Sequence, residues 1–184
     1  MARIRSPRSS GSDATRDALV QDLLAALGGD DRPDGPVVFE IAQGDANYIQ
    51  VVVVWELWAD LSADVRNRVV MDAYEEQHRE RPDEVSEQNV SMILPVTASQ
   101  AIAMNILPYP IRCNMHKSQP EYPGVQSLMK REGAIETDAG TELRLPTLEM
   151  AREARDRLQE ATKGWIPEIH WAIWEQAGRI WDYN

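Results

Sequence analysis

Few residues of this chain have the types and spacing that metal binding or catalysis requires. The first pair to consider is Cys113 and His116. They stand at Cys-x2-His spacing, which supplies half of a structural zinc site. Such a site needs four ligands, and the remaining histidines, His78 and His170, lie far from this pair in the sequence. We therefore expect a small buried thiol and a loop imidazole here, with no bound metal and no other cofactor.

Catalytic motifs are not recognisable in the sequence. The residues around Cys113 match no activating signature, and Arg112 alone adds little positive charge beside the thiol. The sequence has no Gly-x-Ser-x-Gly elbow, no Gly-x-Gly-x-x-Gly motif and no phosphate-binding P-loop. Adjacent carboxylates such as Asp30–Asp31 and Glu75–Glu76 fall in loops or on a polar helix face, as solvated surface charges do. The sequence favours a protein that is not an enzyme.

Arginine side chains are the candidate contacts for an anion. Arg152 and Arg155 lie on a predicted helix, within a segment 144–163 that could present a basic face. Glu149, Glu153, Asp156 and Glu160 are interspersed among the basic residues of this helix, which favours ion pairs within the helix over a bound anion. The net charge of −11 also repels phosphate backbones. A nucleic-acid partner is therefore disfavoured.

Tryptophan is concentrated at the end of the chain. Four of the six tryptophans fall in the last 20 residues, and they are Trp165, Trp171, Trp174 and Trp181. One interpretation is a terminal helix packed into a groove of its own chain. The other is a contact with a protein partner or a second copy, because tryptophan is enriched at binding hot spots. These four residues are the candidate interaction residues.

Hydrophobic spacing predicts the helices that position these residues. In the first half, residues 13–27 carry an apolar stripe that ends at Gly28-Gly29, and a second helix runs from Ser62 to the neighbourhood of Pro82. Thr97 and Gln100 have capping-box spacing and begin a short helix. In the second half we expect helices over 124–132, from Thr147 to 162, and from Trp165 to Asn184.

Alternating patterns predict the strands. Residues 37–41 and 48–58 form a hairpin, and the second of these strands is apolar on both faces, which is typical of a central strand. The run 90–94 fits a helix or a strand. Residues 109–113 are expected at a sheet edge because Pro110 cannot donate a hydrogen bond to a ladder. A second, small hairpin joins 134–137 to 142–145.

Together these elements predict an α+β fold, with helix–hairpin–helix units around a small mixed or antiparallel sheet and a Trp-rich helix at the C-terminus. Residues 1–12 are basic and rich in Ser, Gly and Pro, which predicts a disordered tail. The expected organisation is a tail over 1–12, an αββααβ domain over 13–113, a linker over 114–123, and an αββα subdomain with the terminal helix over 124–184.

The segment YIQVVVVWELWADLSADVRNRVVMDAY resembles the BolA-like variant of the KH fold in its hydrophobic strand, short loop and Arg-x-Arg-bearing helix. Arg66 and Arg68 take the positions of that motif, and the resemblance covers residues 13–113. Asn67 stands where the family usually has histidine, so an iron–sulfur partnership is not carried over. The resemblance implies a binding module.

These observations favour a non-enzymatic interaction or regulatory protein that binds a protein partner or associates with itself. A small enzyme with a site between the two halves is the first alternative. A nucleic-acid-binding protein that uses the basic tail and residues 144–163 is the second. With one cysteine and no long apolar run, we expect a cytoplasmic protein without a membrane segment.

Overall fold

The fold follows from a computed structural model, which describes residues 13–30, 35–42, 48–80, 89–137, 140–166, 168–174 and 180–183. Within these ranges the chain forms five α-helices and two sheets, which confirms the α+β class. The chain divides into two compact units, Met1–Val96 and Thr97–Asn184. The predicted tail over 1–12 lies outside the described residues.

The first unit is a three-stranded sheet with two helices on one face. The strand order is β1-β2-β3, with β1 antiparallel and β3 parallel to β2. The elements in chain order are α1 (Asp13–Leu27), β1 (Val37–Ala42), β2 (Tyr48–Val54), a 3-10 helix (Glu56–Trp58), α2 (Ala63–Glu80) and β3 (Asn89–Val96).

Strand β2 is the centre of the first unit, as its sequence predicts. Val51, Val52 and Val53 are each 0% exposed, so both faces of the strand are covered. Val51 and Val53 belong to one apolar cluster with residues of both helices, among them Leu23 and Val69. Hydrophobic burial along β2 therefore joins the sheet to the helices in this unit.

The ends of these elements have local causes. Gly29 adopts a φ of +87°, which stops α1 at the predicted glycine pair. Strand β2 ends at Val54 and not at Trp58, because the chain turns into the 3-10 helix. There the Trp58 indole Nε1 donates to the Val96 carbonyl at 3.1 Å, and Trp55 meets the Trp58 ring edge-on. The run 90–94, for which the sequence fitted a helix or a strand, forms part of strand β3.

The second unit is a five-stranded sheet in the order β5-β6-β4-β7-β8, in which every described pair is antiparallel. Its elements are α3 (Ala98–Ala103), β4 (Tyr109–Cys113), α4 (Tyr122–Arg131), β5 (Ile135–Thr137), β6 (Gly140–Leu145), α5 (Leu148–Thr162), β7 (Trp171–Trp174) and β8 (Ile180–Tyr183).

Two helices of this unit begin at the caps that the sequence predicts. The Thr97 hydroxyl accepts from the Gln100 backbone N–H, and the Gln100 side chain accepts from the Thr97 N–H, which completes a capping box. The Thr147 hydroxyl accepts from the Met150 N–H at the start of α5. The hairpin of β5 and β6 also lies where it is expected.

The prediction of a Trp-rich helix from Trp165 to Asn184 is wrong, because the described part of this segment forms strands β7 and β8. Ile169 and Ile173 are four residues apart, which fits one helical face, but Ile169, Trp171 and Ile173 also fit the alternation of a strand. The sheet decides between the two patterns. Trp171, Ala172 and Ile173 are all buried, as in a strand covered on both faces.

Strand β4 lies inside the sheet, so its predicted place at an edge is also wrong. It pairs with β6 on one side and with β7 on the other. Pro110 is accommodated because it pairs with Arg144 of β6, while the ladder with β7 begins only at Ile111.

The observed division of the chain differs from the predicted linker. It falls between Val96 and Thr97, and residues 114–123 lie within the second unit, from the end of β4 into the first turn of α4. The αββααβ order expected over 13–113 also differs, because β3 is an additional strand that precedes the short helix α3. Strand β4 belongs to the second sheet.

Replacing Arg66 with Met should destabilise the chain. Arg66 is 7% exposed, and its guanidinium donates to the backbone carbonyls of Leu61 at 2.9 Å and Ala59 at 3.0 Å. Loss of these charge-assisted bonds should lower the free energy of unfolding by about 1.5–3 kcal/mol, measured by urea denaturation. Arg68→Met is the control, because Arg68 is exposed and its replacement should change the free energy of unfolding by less than about 0.5 kcal/mol. Equal effects of the two substitutions would contradict this role for Arg66.

Candidate interaction surfaces

Trp171 belongs to the core of the second unit. It is 0% exposed, and its indole Nε1 donates to the Thr162 hydroxyl at 3.1 Å. Thr162 is itself 0% exposed and donates to the Leu158 carbonyl at 2.7 Å. The Gln159 side chain accepts from the Trp171 backbone N–H and donates to the Ile169 carbonyl. Trp171 therefore holds β7 against α5, and its prediction as a surface anchor is corrected.

Trp165 is the tryptophan with the clearest surface position, at 47% exposed. It follows α5, and its indole Nε1 donates to the Ala161 carbonyl at 2.8 Å. The ring lies against Gly124 in the first turn of α4, where a Cβ atom would come within 3.0 Å of it. The indole is thus fixed in orientation while half of its surface faces solvent.

Trp174 lies on the sheet face opposite α5. The Arg112 guanidinium stands 5.5 Å from the centre of the Trp174 ring, within the range of a cation–π contact. Trp174 is half-buried, and its buried Nε1 has no hydrogen-bond partner among the described residues. Trp181 is part of β8, but its side chain lies outside what the structure describes. The four candidate tryptophans are therefore not one surface.

The two candidate anion contacts have different environments. Arg152 is exposed, whereas Arg155 is 7% exposed. Nε and Nη2 of Arg155 both donate to Oδ1 of Asp156, at 2.9 and 2.7 Å. Because Arg155 is buried and bound to its neighbour, the structure does not bring these two arginines together as an anion site.

Cys113 and His116 lie in different local environments. Cys113 is half-buried, and burial raises the pKa of its thiol. The exposed His116 ring is instead bound locally, with Nδ1 at 2.8 Å from the Ser118 hydroxyl. The described residues contain no group of three or more His, Cys, Asp and Glu side chains that could hold a metal ion.

Two further side chains have shifted pKa values. Burial, together with the Glu40 carboxylate that accepts the Tyr74 hydroxyl at 2.5 Å, raises the pKa of Tyr74. The Lys130 ammonium, 2.7 Å from the carboxylate of Glu136, lowers the pKa of Glu136. With Cys113, all three shifts move the group away from neutral pH, where a general acid or base would need its pKa.

The first sheet has an exposed apolar patch that was not predicted from the sequence. Ile41, Gln50 and Met92 form a row across the three strands, on the face opposite the helices. Met92 is 54% exposed, and Tyr48, two residues before Gln50 on β2, is 48% exposed. The strands β1, β2 and β3 carry apolar residues on both faces, but the two helices cover only one face. This second apolar face is the sequence signal that could have indicated the patch.

Comparison with known proteins identifies no relative. No protein-family model matches the chain, and neither the curated proteins nor the solved structures provide a significant match. None of the described helices is long and apolar enough to span a membrane.

Replacing Thr162 with Val should destabilise the chain, because the buried Trp171 indole loses its hydrogen-bond acceptor. The substitution keeps the volume but leaves the Trp171 N–H without a partner in the core, which costs about 1–3 kcal/mol. Urea unfolding followed by tryptophan fluorescence measures the loss. Thr162→Ser is the matched control, because it keeps the hydroxyl and removes one methyl group. If Val destabilises no more than Ser, the Thr162–Trp171 bond has no stabilising role.

Alkylation of Cys113 should be slow in the folded chain. Burial raises the pKa of the thiol, so the reactive thiolate is less populated at a given pH than in the unfolded chain. The midpoint of the pH–rate profile with iodoacetamide should therefore lie higher for the folded chain than for the chain in urea. Coincident profiles would show that Cys113 is not buried as described.

Proposed function

We propose that this chain is a non-enzymatic interaction protein and that Trp165 anchors the contact with a protein partner. The observation that carries the proposal is a half-exposed tryptophan whose ring is held in one orientation. Its N–H is bound to Ala161, and its ring rests on Gly124. An aromatic side chain that is already ordered loses little conformational entropy when a partner covers it.

The surroundings of Trp165 support this proposal. Glu160 and Lys163, which precede it by less than two turns, are both strongly exposed. An apolar anchor beside polar and charged residues is the usual composition of a hot spot and its rim. Unlike Trp171, Trp165 contributes much of its surface to solvent and is available to a partner.

Charge pairing argues against the nucleic-acid alternative. Four of the five basic residues in 144–163 have a carboxylate partner in the same unit, and the pairs are Arg144–Glu142, Arg155–Asp156, Arg157–Glu132 and Lys163–Glu160. Phosphate binding at these side chains would require breaking such pairs.

Truncating Trp165 should remove partner binding. We expect full-length chain immobilised on a resin to retain a protein from an extract of the source cells, and Trp165→Ala to lose it. With that protein purified, isothermal titration calorimetry should show an affinity about 30-fold weaker for Trp165→Ala, as for a hot-spot residue.

Met104→Ala is the control for this experiment, because Met104 is 57% exposed in the same unit. The affinity of Met104→Ala for the partner should stay within about threefold of that of the unsubstituted chain, as is usual for most residues of a protein surface. Circular dichroism should show that both variants keep the fold. Retention of the same proteins by all three chains, at equal affinity, would overturn the proposal.

A further inference from the structure

The exposed surface of Trp165 suits only certain kinds of contact. Its indole Nε1 already donates to the Ala161 carbonyl at 2.8 Å, and its ring atoms Cη2 and Cζ3 lie against Gly124. An indole has this single donor and no acceptor. The 47% of the side chain that faces solvent therefore offers ring carbons and their π-electrons, with no free donor for a carboxylate or a phosphate.

Exposed carboxylates belong to both segments that meet at Trp165. Glu121 is the N-cap of α4, and its carbonyl accepts from the N–H of Gly124, the residue that the ring contacts. Glu168 follows Trp165 by three residues, and its carbonyl accepts from Asn114 Nδ2 at 2.9 Å, which fixes this segment. Both glutamate side chains are exposed, and neither forms an ion pair within the part of the chain that the structure describes.

The basic residue nearest to Trp165 in the sequence has a carboxylate of its own. Lys163 Nζ lies 3.8 Å from the carboxylate of Glu160, and both side chains are strongly exposed. Glu121 and Glu168 therefore give the surroundings of the indole an excess of negative charge. Complementary charge on a partner is favoured at such a surface, and like charge is repelled.

We infer that Trp165 receives an arginine side chain of the protein partner, which stacks on the exposed indole while Glu121 and Glu168 attract its charge. The inference rests on the proposed function, because it takes the same site and adds the chemistry of the partner. Tryptophan is the aromatic side chain that binds cations best. The chain itself contains such a pair, since the Arg112 guanidinium lies 5.5 Å from the centre of the Trp174 ring.

An apolar side chain on Trp165 would fit this surface less well. It would cover the indole, but it would also remove water from the neighbouring carboxylates without offering them a hydrogen bond, which is costly. A guanidinium is planar and weakly hydrated, so it stacks on a ring and at the same time donates to a carboxylate at its edge. Arginine thus satisfies the ring and the charges together.

Nuclear magnetic resonance of the isotope-labelled full-length chain tests this chemistry without the partner. The probe is N-acetyl-arginine amide, and the Trp165 indole N–H resonance is assigned by its loss in Trp165→Phe. N-acetyl-citrulline amide is the matched control, because it has nearly the same shape and no charge. The arginine probe should shift the Trp165 resonance by about fivefold more than the citrulline probe at equal concentration. Equal shifts with the two probes would overturn the inference.

Variants of the carboxylates test the second part of the site. Glu121→Gln and Glu168→Gln should each reduce the shift caused by the arginine probe, and the double variant should reduce it further. Glu153→Gln is the control, because Glu153 is exposed on α5 in the same unit, and its replacement should leave the shift unchanged. An undiminished shift in the double variant would show that the two carboxylates do not attract the cation, contrary to the inference.

This experiment and the test of the proposed function can fail separately, because the probe acts on the free chain. Loss of partner binding in Trp165→Ala, combined with equal shifts for arginine and citrulline, would overturn the arginine contact and leave the proposed function standing. A shift specific to arginine, combined with equal partner binding by Trp165→Ala and the unsubstituted chain, would overturn the proposed function and with it the assignment of this arginine to a partner.

Discussion

An indole ring packs most favourably in a protein core where its N–H finds an acceptor, and one buried tryptophan in each unit meets this requirement. In the first unit, Trp58 donates to the carbonyl that ends β3, which fixes the turn after the central strand. In the second unit, Trp171 donates to Thr162 and thereby fixes β7 against α5. In each unit, a buried indole ring thus adds one polar bond to the apolar contacts between the sheet and its neighbouring segment.

Exposure separates the structural tryptophan Trp171 from the candidate binding residue Trp165, since the indole N–H of each has an acceptor. Trp165 has an acceptor in Ala161, yet the site that holds it covers only one side of the ring. Most basic residues of the segment 144–163, which precedes Trp165, are already paired with carboxylates, so this segment offers little free positive charge to a partner. A partner that recognises this region would therefore be selected by packing, which fits a protein surface better than a phosphate backbone.

Local patterns in the sequence were sufficient to predict the elements that depend on local physics. The glycine stop after α1, the capping box at Thr97, the cap at Thr147 and the double-sided apolar run of β2 all lie where the sequence indicates. Each of these features is decided within a few residues by backbone conformation, hydrogen bonding or burial on both faces. The order of the strands in a sheet and the burial of each strand are not decided in this way.

The C-terminal segment shows what the sequence could not settle. Ile169 and Ile173 suit one helix face, whereas Ile169, Trp171 and Ile173 together suit the alternation of a strand. Only pairing with β4, in which Ile111 stands opposite Ile173, selects the strand. The same non-local pairing places Pro110 inside a sheet. Exposure of the tryptophans follows from this topology, so the sequence could nominate Trp165 and Trp171 together but could not tell the surface ring from the buried one.

Gly124 has a consequence for how such a surface could diverge among related chains. A Cβ atom at this position would come within 3.0 Å of the Trp165 ring, so the absence of a side chain sets the angle at which the ring leaves the surface. A single methyl group at this position would tilt the ring and change its fit to a partner, while the ring itself stayed the same. The affinity for a partner would then change through Gly124, which supports the Trp165 ring but would not itself be counted among the interface contacts.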